Sequence, residues 1–488
     1  MNKIKIIRII VSGMVFLTLA AGFSGVCLCA AQAAKGEFFP AFIAGSVIFF
    51  FWIILALLWG RVFCSFGCPL GFIQDITGFL GRKIRKTQSV KQPPRRFFRY
   101  SAGLILLAFL AVGVGWTVGF FEPFSITGRF FNSVLRPLFQ WIGNKTAWWS
   151  FSEIFLSPTA VWMTAAAVML IIAAAAFFKE RFFCNTLCPA GFLLGLFSRM
   201  ARFRLRINEK CVKCRACEKV CKAGCIDTDT GIIDSERCVV CGNCLTACKF
   251  SALERNNSFR PNEKVSEELD TKRRLFLAGA AAAGIAGAVG VKLAPGIKKI
   301  PCMPPGAGNI VDFNAKCTGC QLCVANCQGK VLIPALFEYG LSGIGQPRMS
   351  TDNGFCDYEC TRCSNICPAG ALKPLTLKEK KRVRVGLVTY YRNRCVVVKN
   401  NVACGACAEH CPTGALHMVK YKNDLTIPEV TAELCIGCGG CEYICPVRPE
   451  RAVIISGTAE QTLAADPEKY RIKEEKKNSS VNNADFPF

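Results

Sequence analysis

Apolar residues fill long uninterrupted blocks in the first part of this chain and only short, cysteine-punctuated stretches after it. Residues 9–34, 38–60, 100–121 and 154–178 contain no charged side chain. Each block is long enough to cross the roughly 30 Å hydrocarbon core of a bilayer as a helix, so four spans are predicted. The first block could pass for a signal peptide, but its 26 uncharged residues favour a retained span. Beyond about residue 200 the pattern turns polar and glycine-rich, as in compact soluble domains.

Charge orients the blocks. Lys3, Lys5 and Arg8 precede the first, nine Lys or Arg and the single acid Asp75 lie in 61–99, and Lys179, Arg181, Arg199, Arg202, Arg204 and Arg206 follow the fourth. The intervening segment 122–153 is nearly balanced. Positive loops stay inside, which places the N-terminus, 61–99 and the chain after Phe178 in the cytoplasm. The net charge of +26 could suggest nucleic acid. Its clustering beside the apolar blocks makes membrane anchoring the better account, with no nucleic-acid partner.

The membrane half repeats itself. Arg61-Val-Phe-Cys64-Ser-Phe-Gly-Cys68-Pro69-Leu-Gly71-Phe72 matches Arg181-Phe-Phe-Cys184-Asn-Thr-Leu-Cys188-Pro189-Ala-Gly191-Phe192. Duplicated units tend to face each other about a pseudo-twofold axis, which would bring the two C-x3-C-P motifs together. Cys64, Cys68, Cys184 and Cys188 could then act as redox thiols, ligate a metal or cluster jointly, pair as disulfides, or simply pack.

Six further groups of four cysteines follow. They are Cys211, Cys214, Cys217 and Cys221; Cys238, Cys241, Cys244 and Cys248; Cys317, Cys320, Cys323 and Cys327; Cys356, Cys360, Cys363 and Cys367; Cys395, Cys404, Cys407 and Cys411; and Cys435, Cys438, Cys441 and Cys445. The rhythm C-x2-C-x2-C-x3-C is the bacterial signature for [4Fe–4S] clusters, with the fourth cysteine of one run serving the neighbouring run's cluster. Zinc prefers separated cysteine pairs, and disulfide frameworks belong to small secreted domains. The 24 cysteines are therefore expected to hold six [4Fe–4S] clusters. Pro368, Pro412 and Pro446 close three runs, whereas Cys327 is followed by Gln328. Cys27, Cys29, Cys225 and Cys302 belong to no group.

The only histidines, His410 and His417, lie in the last soluble region, so no span offers paired axial ligands and no haem is expected. No phosphate-binding loop, Rossmann fingerprint or catalytic His–carboxylate pair stands out. An electron carrier is expected rather than a stand-alone enzyme, and no catalytic residue is assigned. Between the second and third runs, Lys272-Arg273-Arg274-Leu275-Phe276-Leu277 opens an uncharged Ala/Gly-rich stretch that reads as an internal twin-arginine export signal. That route moves folded cargo, which suits a domain already built around clusters.

Residues 1–255 resemble NapH-type membrane ferredoxins, with four spans, two C-x3-C-P motifs and two cluster motifs. From about Arg273 onward the chain resembles NapG-type ferredoxins, with the arginine pair, Pro304-Pro305-Gly306-Ala307 and four cluster motifs. The MauN and MauM proteins are similar. The likeness implies the two components fused, with electrons drawn from quinol at the membrane and passed to a periplasmic reductase or multihaem cytochrome, or supplied to the maturation of a periplasmic redox enzyme or metal ion. It also implies that the outer runs cross first with fourth and second with third, giving Cys317, Cys320 and Cys323 with Cys445; Cys435, Cys438 and Cys441 with Cys327; Cys356, Cys360 and Cys363 with Cys411; and Cys395, Cys404 and Cys407 with Cys367. The inner pair is expected as Cys211, Cys214 and Cys217 with Cys248, and Cys238, Cys241 and Cys244 with Cys221. Glu122 could accept quinol protons or be a solvated interfacial acid.

The expected fold class is an α-helical membrane domain of four spans with an internal duplication, joined to α+β ferredoxin domains of the bacterial 2[4Fe–4S] type. The boundaries expected are 1–200 for the membrane domain, 201–255 for a cytoplasmic two-cluster domain, 256–298 for a linker with the twin-arginine segment, 299–465 for a four-cluster domain on the external side of the cytoplasmic membrane, and 466–488 for a disordered tail.

Overall fold

The computed structural model describes residues 2–24, 28–86, 96–111, 119–146, 158–257, 300–340, 343–468 and 470. The twin-arginine segment and the tail beyond residue 470 lie outside these residues, as does Cys27.

Among the described helices of the first 200 residues are α1 (Asn2–Ser24), α2 (Val47–Trp59), α3 (Pro69–Arg85), α4 (Arg96–Ala111), α5 (Pro123–Phe130), α6 (Thr159–Phe178) and α7 (Pro189–Ser198). Among the described residues two helices are long and apolar enough to cross a membrane, Lys5–Ser24 within α1 and Thr159–Phe178. Ile6, Ile10, Met14 and Leu17 of α1, and Met163, Leu170 and Ile171 of α6, turn large apolar side chains outward. Outward apolar faces of this extent suit contact with lipid.

Of the other two expected spans, one differs. The block 38–60 is broken into Phe38–Ile43 and α2 where Gly45 takes φ +62°, a conformation glycine adopts without steric cost. The 13 residues of α2 would cover about 20 Å, less than the hydrocarbon core. In the third block α4 is described as far as Ala111, and residues 112–118 lie outside the described residues. In the first block α1 is described as far as Ser24, and the short helix Leu28–Gln32 returns against it.

Helix α3 is amphipathic and presents Ile76, Phe79, Leu80 and Ile84 outward beside Arg82 and Lys83. Its Gly78 and Gly81 let it lie against the end of α6, since a Cβ at Gly81 would stand 2.3 Å from the carbonyl oxygen of Phe177.

The cysteine-rich parts are α+β, as expected. In the first, strand Phe203–Ile207 pairs antiparallel with Leu253–Asn257, enclosing the short helices Ala216–Lys219 and Asn243–Ala247 and the hairpin of Ile226–Asp227 with Ile232–Ile233. The last part repeats this plan, with Val383–Tyr390 pairing with Val453–Leu463 around Ala406–Glu409 and Gly440–Ile444. Between them, residues 300–375 carry the third and fourth runs beside the strand pair Leu332–Pro334 and Pro347–Met349. Gln461, on the last strand, donates to the carbonyls of Met303 and Pro304 and accepts from the backbone N–H groups of Gly306 and Gly308. That glutamine fastens the Pro304-Pro305-Gly306-Ala307 segment to the final unit, so residues 300–465 form one body of two similar halves.

Candidate metal centres

In the first soluble unit two apolar cavities each collect four of the expected ligands. One is lined by Cys211, Cys214, Cys217 and Cys248 with Ile207, Val212 and Phe250. The other is lined by Cys221, Cys238, Cys241 and Cys244 with Leu205, Ile226 and Ile233. Both match the crossed arrangement. Cys225, outside every run, lines the second cavity too, its Sγ 3.6 Å from that of Cys221.

The outer runs cross differently from the expectation. Cys367 stands among Cys317, Cys320 and Cys323, whose thiols are raised first by burial, with its charge contributing further. Cys327 joins Cys356, Cys360 and Cys363. Cys445 packs with Cys395 and Cys404, beside Cys407, and Cys411 packs with Cys435 and Cys441, beside Cys438. Adjacent runs therefore pair, first with second and third with fourth. The expected pairings of Cys445 with the first run, Cys327 with the fourth, Cys411 with the second and Cys367 with the third are all corrected. The reason is local. The helices Leu322–Ala325 and Arg362–Ile366 pack on each other, as do Ala406–Glu409 and Gly440–Ile444, so each fourth cysteine reaches its neighbouring run.

The donor sets fit a cluster better than a single ion. Zinc–sulfur bonds near 2.3 Å would draw four sulfurs to about 3.8 Å from one another. Among the described residues no three His, Cys, Asp or Glu side chains converge in that way. Backbone amides meet the sulfurs, with Ala252 N donating to Cys248 Sγ at 3.3 Å and Leu372 N to Cys367 Sγ at 3.5 Å. Burial pushes the Cys217 and Cys241 thiols up to about 11, so a bound cluster would have to supply the positive charge that makes them thiolates.

The duplicated motifs do meet. Cys64, Cys68, Cys184 and Cys188 are all buried, and three of them share one core with Val239 and Cys241 of the first soluble unit. Each motif's arginine reaches into the other copy. Arg61 Nη2 donates to Cys184 O at 2.9 Å, and Arg181 Nη1 donates to Cys64 O at 2.7 Å. Gly71 and Gly191 make that exchange possible: a Cβ on either would stand within 2.7 Å of the opposite arginine. Cys68 and Cys188 cap α3 and α7, each Sγ accepting from the N–H three residues on, Gly71 at 3.4 Å and Gly191 at 3.3 Å. Burial, then the neighbouring Cys184, Cys64 and Cys188, push the Cys68 thiol well above its ordinary value.

Two soluble units grip this domain at opposite ends of α1. Near its start, Arg8 and Arg181 pair with Asp75, which also binds Lys222 Nζ at 2.9 Å. Ser198 Oγ donates to Ser235 O, and Asn185 Nδ2 to Ala223 O. Near its end, Asn326 Nδ2 donates to Gly22 O at 2.9 Å. Arg129, just C-terminal to Glu122, donates to the carbonyls of Thr318 and Gly319, and Asn132 and Ser133 donate to Gln321 Oε1. Arg8 and Gly22 are 14 residues apart on one helix, about 21 Å. Glu122 is not a solvated interfacial acid. It is 1% exposed and caps α5, accepting from the N–H groups of Phe124 and Ser125.

Gln74, Arg129 and Gln321 escaped the sequence reading. Gln74 carried a faint signal, because the repeat breaks there: the equivalent position in the second copy is Leu194.

Comparison with known proteins agrees with the donor chemistry. A family model described as a 4Fe-4S binding domain matches residues 41–87, 161–208 and 363–384. A 4Fe-4S dicluster domain matches 402–448, and a further 4Fe-4S binding domain matches 232–254. An uncharacterised protein of Methanocaldococcus jannaschii is 29% identical over 233 residues, covering 45% of this chain and 75% of its own. The methylamine utilization ferredoxin-type protein MauM of Methylophilus methylotrophus is 31% identical over 155 residues, 29% of this chain and 65% of its own. The ferredoxin-type protein NapG of Escherichia coli K12 is 30% identical over 151 residues, 29% of this chain and 64% of its own. No solved structure matches.

Proposed function

We propose, from the premise that this chain is a ferredoxin-type [4Fe–4S] electron-transfer protein similar to the Nap and Mau ferredoxins, that it is a membrane-bound relay running from the quinol pool to a periplasmic redox partner. The observation that carries the reading is the seating of cysteine-rich units at both ends of α1, one through Asp75 and Lys222 and the other through Arg129 and Thr318.

Six sites follow from the side chains brought together. They are Cys211, Cys214, Cys217 and Cys248; Cys238, Cys241, Cys244 and Cys221; Cys317, Cys320, Cys323 and Cys367; Cys356, Cys360, Cys363 and Cys327; Cys395, Cys404, Cys407 and Cys445; and Cys435, Cys438, Cys441 and Cys411. Bound there, [4Fe–4S] clusters supply one-electron carriage. The chain's own residues bury the sulfurs, exclude water and donate backbone N–H groups that tune potential. Cys356 N donates to Cys438 O at 2.9 Å, joining the two outer halves through their second and fourth runs. The spatial order of the outer sites is then first, second, fourth and third run.

Four membrane passes, a cytoplasmic N-terminus and first soluble unit, and export of the outer unit by the twin-arginine segment complete the proposal. In this view the chain fuses a NapH-like and a NapG-like part. Purified protein in liposomes, given a menaquinol or ubiquinol anaerobically, should develop reduced-cluster EPR signals. No signal with any quinol would end the quinol reading.

Likeness to a methylamine utilization ferredoxin-type protein supports a second reading, electron supply for maturing a periplasmic redox enzyme or reducing a metal ion. Deletion of the gene separates them: the maturation role predicts an inactive, cofactor-deficient partner enzyme, and the respiratory role an intact partner without electrons.

A further inference from the structure

We propose that Cys64, Cys68, Cys184 and Cys188 together hold a seventh [4Fe–4S] cluster, at a site that neither copy of the repeat could form alone. Each copy supplies two thiols, and a cubane takes four. The family-model matches at 41–87 and 161–208 each contain one such pair, so the shared site makes one binding centre from two half-sets.

The surroundings are built for a buried anionic group. Arg61 and Arg181 are 0% and 1% exposed, and each is tied to the opposite motif's first cysteine through its carbonyl. Asp75 answers the charge of Arg181. The hydrogen bonds of Arg61 go to Asn185 Oδ1 and to the carbonyls of Cys184 and Glu236, and its Nε has none. A cation held this way by neutral groups is costly, and a cluster with four thiolates brings net negative charge. Gln74 Nε2 points at Cys184 Sγ across 3.2 Å, the kind of donor that tunes a cluster. Assembly exchanges four S–H bonds for four S–Fe bonds on an incoming cubane and releases four protons, with no net redox change.

The position gives the site its use. It shares a core with Cys241 on one side and with Ile126 of α5 on the other. Helix α5 in turn meets the first outer run through Ser125 Oγ and Thr318 Oγ1, 2.9 Å apart. The seventh cluster would join the two cysteine-rich ends, so the proposal rests on the relay reading above.

The test is iron, acid-labile sulfide and zinc per chain in full-length protein purified anaerobically in detergent, with EPR and Mössbauer spectra. Wild-type protein should carry about 28 iron atoms and Cys64→Ser/Cys184→Ser about 24, with the other cluster signals unchanged. Gln74→Leu should keep the full iron content and shift the midpoint of a single component. Equal iron in wild type and double variant overturns the proposal. So does one equivalent of zinc lost in that variant, disulfides among the four cysteines, or a Gln74→Leu titration identical to wild type. Failure of quinol reduction would leave the iron difference standing, so the two readings fall separately.

Discussion

Cys225 belongs to no four-cysteine run, yet its Sγ lies 3.6 Å from that of Cys221, within reach of a hydrogen bond to that ligand. A hydrogen bond to a cluster ligand stabilises the reduced, more negative state. Cys225→Ala should therefore lower one inner midpoint by roughly 40 mV, for a bond worth about 1 kcal/mol, without loss of iron. An EPR redox titration reads this directly. Asp75 plays a structural part of similar reach. Burial alone would raise its carboxyl, but Arg181, Lys222 and Arg8 outweigh that and hold it well below the usual carboxylate range. Asp75→Asn leaves three buried cations short of a partner and should cost about 3–5 kcal/mol. Because the folded-state value is depressed, this stabilisation is complete above about pH 5 and fades as pH falls below about 4. Thermal unfolding of wild type and variant across that range should show the gap closing at the acid end.

At the scale of elements, each cysteine run is a short helix flanked by ligands, and its neighbour in sequence is its partner in space. Cys327→Ser and Cys356→Ser should then each remove the same cluster. The double variant should lose about four iron atoms, where crossing of the first run with the fourth would cost about eight. Metal analysis separates the two counts. The ligand types, the α+β form and the duplicated C-x3-C-P motif were all legible in the sequence, because cysteine spacing is set by local chain geometry. The outer pairing was not, because the same rhythm permits several crossings and only helix packing chooses between them. Gly71 and Gly191 show the same limit. Their place in the repeat was visible, but the arginine that each admits comes from 110 residues away for Gly71 and 130 for Gly191.

Across the whole molecule, hydropathy marked four apolar blocks, yet it could not register the break at Gly45 or the return of Leu28–Gln32 against α1. Nor could it show that polar residues after Glu122 are a docking face rather than a solvated loop. That face is where the relay is most exposed to a single change. Gly128 packs so closely under the first outer run that a Cβ there would lie 2.5 Å from Phe23 Cζ and 2.6 Å from Cys320 O. Neither the ring, packed with Phe124 and Phe131, nor the backbone carbonyl can yield cheaply. Overpacking of this kind costs about 1–3 kcal/mol, enough to shift docked to undocked outer unit by roughly fivefold or more. The inner unit is held elsewhere, through Asp75, Asn185 and Ser198, and should not respond. Gly128→Leu is therefore expected to keep its full iron content and normal inner-cluster reduction by quinol, while the outer clusters are reduced more slowly in stopped-flow spectra. Equal slowing of both sets would mean that the substitution disturbs the site where electrons enter, and unchanged rates would mean that they reach the outer clusters without crossing this contact.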